Sequence, residues 1–245
     1  MTAQILDGTA AAAAMRATVA LDATAVTADL GYPPCLATVI APGDPSSAAY
    51  ARAIARSCGR VGIESRLEEL PEGGTDADLV DCLLRLNAEE RVHGVIVQMP
   101  LPPPYDPAVV GATLAPAKDV DGVTPVSAGL LALGRPTFVP ATPLGGMELL
   151  RYHGIGLRGM RATVIGRSAV IGRPLALLLI AEGATVTVCH TATHDLSDAC
   201  RNAEILFAAA GRRGLVDATM VTAGVVVVDF GTTVDAEGRL HGDVH

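Results

Sequence analysis

Two series of short apolar runs, each run parted from the next by a helix-length stretch, decide which architectures are open to this chain. In the first series the apolar runs Leu36 to Ala41 and Gly94 to Gln98 read as strands, as does Ser65 to Leu70 between them, which alternates as a strand should. An Ala-rich helix over residues 9–29, ended by Gly31 and Pro33-Pro34, precedes them. The turn Pro42-Gly43-Asp44-Pro45 leads to Ser46-Ser47, which read as caps of a helix reaching Arg60, and a further helix spans Asp76 to Leu86. The second series begins after Pro140, with strands at Ala162 to Ile165, Thr185 to Cys189, Ile205 to Ala208 and Val225 to Asp229, and a helix over Gly172 to Glu182. Strand and helix in alternation predict parallel sheets with helical crossovers, hence an α/β fold. A chain of 245 residues holds one large or two modest domains, and Gly122, Pro125, Gly134 and Pro136 place a boundary between residues 120 and 140.

Charge and composition narrow the function. With a net charge of −8 and its basic residues scattered singly, the chain has no cationic face for nucleic acid or an anionic membrane. No apolar run approaches the ~20 residues that cross a bilayer. Asp7 stands where a secretory leader would carry a basic residue, so no leader is expected. Cys35, Cys58, Cys82, Cys189 and Cys200 form no C-x-x-C pair, which suits a reducing, cytoplasmic setting rather than disulfides or zinc. Lys118 is the only lysine. Where chemistry needs an amine that exchanges its proton, arginine is no substitute.

Ligands in parallel sheets gather beyond the carboxyl ends of the strands, which singles out Gln98 ahead of the rigid Met99 to Pro104 loop. The turn from Gly166 to Pro174 joins a strand to a helix, as a dinucleotide-binding turn does, although Ser168 replaces the middle glycine. Gly166 permits the tight turn, Gly172 lets helix and strand approach, and the helix N-terminus offers N–H groups to a pyrophosphate. A tight packing turn is the alternative. The next strand ends in Cys189-His190-Thr191, without the carboxylate that NAD enzymes carry there, and Arg167 lies nearby; this favours NADP over NAD. His190 and His194 lack a third metal ligand, so no metal is expected. Ser168 is not set in a nucleophile elbow. Glu68, Glu69, Glu72 and Asp76 read as a solvated edge.

Several blocks occur together in order: Ile5-Leu6-Asp7-Gly8, Tyr50, Val95 to Pro102, Lys118 to Gly122, Pro140 to Pro143, Gly166 to Pro174 and Gly242-Asp243-Val244. Through them the chain resembles the methylenetetrahydrofolate dehydrogenase/cyclohydrolase family. The resemblance implies two domains, an N-terminal α/β folate-binding catalytic domain (1–138) and a C-terminal NADP-binding, Rossmann-type parallel sheet (139–245), with a cleft between them. It implies that Tyr50 packs on the aminobenzoyl ring, that Asp121 accepts hydrogen bonds from the pterin, and that Val97, Gln98 and Pro100 line the substrate. Gly166, Arg167, Ser168, Gly172 and Thr191 would hold NADP, with Thr232 near the nicotinamide. The implied chemistry is hydride transfer from 5,10-methylenetetrahydrofolate to NADP, then water addition giving 10-formyltetrahydrofolate. A homodimer built on the C-terminal domain is implied as well.

Departures from the family matter as much. Its catalytic lysine falls four residues after the tyrosine, where this chain has Ile54. Arg52 and Arg56 are out of phase with Tyr50, and Lys118 belongs to its own block. Isoleucine relays no proton, so the expectation is a dehydrogenase whose cyclohydrolase step is weak or lost. The competing expectations are a paralogue with diverged one-carbon chemistry and a non-catalytic folate- or nucleotide-binding remnant. Ala141 stands where the family has cysteine, and Thr191-Ala192-Thr193 where it has a serine and a basic residue, which weakens 2′-phosphate affinity. The family continues past the Gly-Asp-Val block into a loop and a helix returning to the N-terminal domain, whereas this sequence ends at His245; without that segment the site is expected to be more open.

Overall fold

The computed structural model describes residues 3–43 and 45–245, and the chain divides into two units, Met1–Leu130 and Leu131–His245. The first begins with helix α1 (Gly8–Leu30), whose N-terminal donors are met by the Asp7 carboxylate, accepting from Thr9 N–H at 2.8 Å and Ala10 N–H at 3.2 Å. It ends where Gly31 takes the left-handed conformation, φ 77°. Strands β1 (Cys35–Ile40), β2 (Glu64–Glu69) and β3 (Gly94–Val97) form a parallel sheet in the order β2-β1-β3. The crossovers are α2 (Pro45–Arg60) and α3 (Asp76–Ala88), followed by α4 (Pro107–Thr113) and α5 (Pro125–Ala132). Central β1 is apolar and buried, whereas edge strand β2 carries Glu64, Arg66 and Glu68, charges that discourage pairing with a foreign strand. Leu79, Leu83 and Leu86 lie on one face of α3 and bury completely, together with Val39 and Val95. Each such side chain contributes about 1.5–3 kcal/mol.

Two expectations fail in this unit. Helix α2 starts at Pro45, so Ser46 and Ser47 lie inside its first turn instead of capping it. Proline suits that first position because its missing N–H leaves no donor to satisfy. Asp44, assigned to the preceding turn, falls outside the described residues. The acidic edge departs from expectation at Glu68, whereas Glu69 and Glu72 are exposed: Glu68 pairs with Arg66 and, at 2.6 Å, with Arg85, and the Arg85 guanidinium holds its carboxyl below the usual range.

The second unit holds α6 (Ala141–Tyr152) and a four-stranded parallel sheet of β4 (Arg161–Ile165), β5 (Thr185–Cys189), β6 (Ile205–Ala208) and β7 (Val226–Asp229), in the order β5-β4-β6-β7. Helices α7 (Gly172–Ala181) and α8 (Leu196–Arg201) are its crossovers. Leu175 and Leu179, one turn apart on α7, are fully buried, as are Val164, Ile205, Leu206 and Phe207 of the sheet. A short antiparallel hairpin, β8 (Thr233–Val234) and β9 (Leu240–His241), closes the chain. All five cysteines are free thiols. Among the described residues no helix is long and apolar enough to cross a membrane.

Candidate functional site

In the first unit the candidate residues lie at the end of β3, on the block that pairs beside it and on helix α2. Gln98 follows the last residue of β3, its N–H bonded to the Val39 carbonyl at 2.9 Å and its side-chain amide donating to the Met99 carbonyl at 3.3 Å. Val97 is 5% exposed and belongs to the core, so its side chain faces away from any ligand and only its backbone is available. Pro100, in the loop that follows, is exposed. Tyr50 is 57% exposed in the early turns of α2. Ile54 stands one turn further on the same helix, half-buried at the margin of the face that buries Ser47, Ala51 and Cys58.

The Lys118 to Gly122 block separates two aspartates by role. Asp119 pairs in parallel with Val95 beside β3 and is completely buried. Its carboxylate accepts from Val123 N–H (3.0 Å), Thr124 N–H (2.8 Å) and the Ser127 hydroxyl (2.6 Å), which fixes the turn into α5. Asp121, two residues further along the same edge, is half-buried. The lone lysine answers a different need: Lys118 Nζ donates at 2.7 Å to both the Leu86 and Glu89 carbonyls, capping the end of α3. Burial lowers its pKa, and its amine is committed to that helix end.

In the second unit a cavity of about 410 Å³ opens where β4, β5 and β6 end, lined by Ile165, Gly166, Arg167, Ser168, His190, Thr191, Thr193, Leu196, Ala209, Ala210, Arg212 and Leu215. Gly166 has φ 122°, and a Cβ there would collide with the Ala209 carbonyl; a Cβ at Gly172 would collide with the Gly166 carbonyl. Both positions therefore require glycine, as the sequence predicts for a turn that brings strand, loop and helix together. The first-turn donors of α7 are not open, contrary to expectation. Ser168 Oγ accepts from Ile171 N–H (3.1 Å) and Gly172 N–H (3.3 Å), and the Ser168 carbonyl accepts from Arg173 N–H. Ser168 is thus the cap of the turn, and its hydroxyl proton is what it can offer a phosphate.

The rim after β5 is pinned: His190 N–H donates to Thr193 Oγ1 at 2.9 Å, and Ala192 N–H donates to His190 Nδ1 at 3.1 Å. In the neutral ring this leaves the proton on Nε2. Cys189 and Cys200 are buried, and burial pushes their thiols up, that of Cys200 to about 11, so neither is a nucleophile at neutral pH. Thr232 lies outside this cavity, exposed in the loop after β7. Among the described residues no group of three His, Cys, Asp or Glu is placed to hold a metal ion.

Two residues unremarked as site residues in the sequence shape the cavity. Arg212 contributes to its wall. Asp243, completely buried, holds the loop that carries it, accepting from Ala210 N–H (2.6 Å), Gly211 N–H (3.0 Å) and Arg212 N–H (2.7 Å). Asp229 in turn accepts from Asp243 N–H (3.1 Å) and Val244 N–H (3.0 Å), so the end of β7 positions the Gly242-Asp243-Val244 block. That block was the sequence signal for Asp243, but its partners lie more than thirty residues away.

A glycine-built cavity at the carboxyl edge of a parallel sheet, in a chain that also holds a separate α/β unit, defines a two-domain dinucleotide-binding protein. The family model for the NAD(P)-binding domain of tetrahydrofolate dehydrogenase/cyclohydrolase matches residues 140–245, and that for the catalytic domain matches residues 6–121. The chain belongs to this family. It is 47% identical over 244 residues to the bifunctional protein FolD of Chloroflexus aurantiacus, covering 100% of this chain and 86% of that one. It is 48% identical to the Roseiflexus sp. protein of the same name, covering 100% and 85%. Among solved structures, the FolD methylenetetrahydrofolate dehydrogenase/cyclohydrolase of Campylobacter jejuni superposes with a TM-score of 0.95 at 38% identity, covering 98% of this chain and 86% of that one. The Trypanosoma brucei enzyme, complexed with NADP cofactor and inhibitor, gives 0.92 at 36%, covering 100% and 86%.

Proposed function

We propose that the protein oxidises 5,10-methylenetetrahydrofolate to 5,10-methenyltetrahydrofolate with NADP, and that its water-addition step is weak or lost. Family membership supports the first half, together with a cavity whose wall has two arginines and no carboxylate. NADP, when bound, supplies the hydride acceptor. The residues of the chain then have ordinary tasks. Arg167, Ser168 and Thr191 hold the adenosine end, over a turn that Gly166 and Gly172 make close enough to receive it. Tyr50 offers an exposed ring for stacking, Gln98 places an amide beside the reacting carbon, and Asp121 orients the pterin by accepting from its paired N–H groups.

The observation that carries the second half is Ile54. It stands one turn from Tyr50, and the only lysine of the chain has its amine bound to the carbonyls at the end of α3. General acid–base assistance is worth about 10²- to 10⁴-fold, and an aliphatic side chain provides none. Hydride transfer depends on alignment and survives the loss. The test supplies two substrates. Methylenetetrahydrofolate with NADP should generate NADPH absorbance, whereas methenyltetrahydrofolate should decay no faster with the protein than in buffer, and Ile54→Lys should accelerate that decay. Rapid decay with the native protein would overturn the loss; absence of NADPH would leave a non-catalytic binding protein. Self-association through the second unit is part of the same reading, since edge strand β5 exposes Val188. Sedimentation at the monomer mass would remove it.

A further inference from the structure

Two arginines line the cavity of the second unit where the sequence pointed to one. Arg167 reaches it from the glycine turn after β4 and Arg212 from the loop after β6. Arg213, next in sequence to Arg212, lies 4.0 Å from Asp235, and Arg66, Arg85, Arg151, Arg161 and Arg239 also have a carboxylate partner. Among the described residues neither Arg167 nor Arg212 has an ion-pair partner, and no Asp or Glu lines the cavity. The Arg212 backbone is fixed by Asp243 through its N–H alone, so its side chain carries an unspent charge from a rigid base.

We infer that Arg212 is a specificity-determining residue, a second cation that reads the 2′-phosphate of NADP jointly with Arg167. This rests on the NADP reading given above. A phosphate monoester carries close to two negative charges at neutral pH, and one arginine meets only about half of that. Rossmann-type topology puts the adenosine end of a dinucleotide between the loops that follow β5 and β6, the two rims that bear Thr191 and Arg212. The rest of the cavity agrees with such an occupant, because Ile165, Leu196 and Leu215 provide apolar walls for a purine. The threonines after His190 bring no charge of their own, so the neutralisation missing from that rim comes from the opposite one. A guanidinium presents paired donors to phosphate oxygens, which lysine cannot reproduce.

Calorimetric titration tests this with adenosine 2′,5′-bisphosphate against 5′-AMP, and with NADP against NAD, on the whole protein. For Arg212→Gln the preference for the 2′-phosphorylated member of each pair should fall about tenfold, with a weaker dependence on salt, as expected for one lost charge-assisted contact. Arg212→Lys should recover part of the preference, having kept the charge without the fork. An unchanged ratio overturns the assignment. An equal loss for both members of a pair also overturns it, placing Arg212 on the adenine instead. Failure of the unaltered protein to bind NADP at all would refute the cofactor reading itself, a result seen before any variant is made.

Discussion

Replacing Asp243 by asparagine is the most direct probe of how the cavity wall is held. The carboxylate is completely buried and takes three backbone N–H groups: Oδ2 serves Ala210 and Gly211, and Oδ1 serves Arg212. Asparagine has the same shape but one accepting oxygen. With that oxygen turned toward Ala210 and Gly211, its NH₂ group opposes the N–H of Arg212, so one charged bond is lost and two donors face each other. The other two bonds become neutral and weaken by roughly half. Bonds to charged groups are worth about 1.5–3 kcal/mol, while burying a charge costs several kcal/mol that the amide avoids. The net loss expected is about 2–4 kcal/mol. In a unit of the size of Leu131–His245 each kcal/mol lowers the midpoint of thermal unfolding by about 4–8 °C, so a fall of roughly 8 °C or more is expected. Differential scanning calorimetry is the assay, with the drop falling in the transition of the unit Leu131–His245. A fall of less than about 1 °C, or one confined to the other unit, would refute the reasoning.

Two further outcomes follow from buried or paired charges. Lys118→Met leaves the Leu86 and Glu89 carbonyls without their donor, and should cost about 2 kcal/mol, seen as a lowered unfolding midpoint, while the folded protein keeps its NADPH-forming activity; activity lost at full stability would place the amine in the chemistry instead. Asp235 in the closing hairpin is held down to about 2, first by the His241 ring and then by backbone and side-chain donors of Arg239. Its stabilising contribution is therefore complete above the ordinary carboxylate range near pH 4 and fades as pH falls toward about 2. The denaturation midpoint of the native chain should exceed that of Asp235→Asn at about pH 5 and converge with it near pH 2; a gap that stays constant would dismiss the linkage.

The strands were legible where β-branched or apolar runs are bounded by polar or turn residues, as at Thr185–Cys189 and Ile205–Ala208, because a buried parallel strand is an apolar run of that length. Helices α4 and α5 were hidden by Pro107 and Pro125, which look like breaks yet occupy first-turn positions where proline is at home. The glycine turn could be read because steric demand is local: Gly166 and Gly172 meet atoms of their own loop and of the neighbouring strand's end. Arg212 could not be found that way. Its relation to Arg167 exists only after β4 and β6 pair, and the support from Asp243 arrives from the far end of the chain. Spacing places Ser168 in the turn, but whether its oxygen serves ligand or helix depends on a geometry that spacing does not encode.

Having a single ε-amine, and having it moored to two carbonyls, turns the chain into its own reporter. Side-chain acylation at Lys118 must wait until its amine leaves the Leu86 and Glu89 carbonyls, so the rate at which an amine-directed reagent labels this position reports how often that cap breaks. No other lysine competes for the reagent, and no mutation is needed to install the probe.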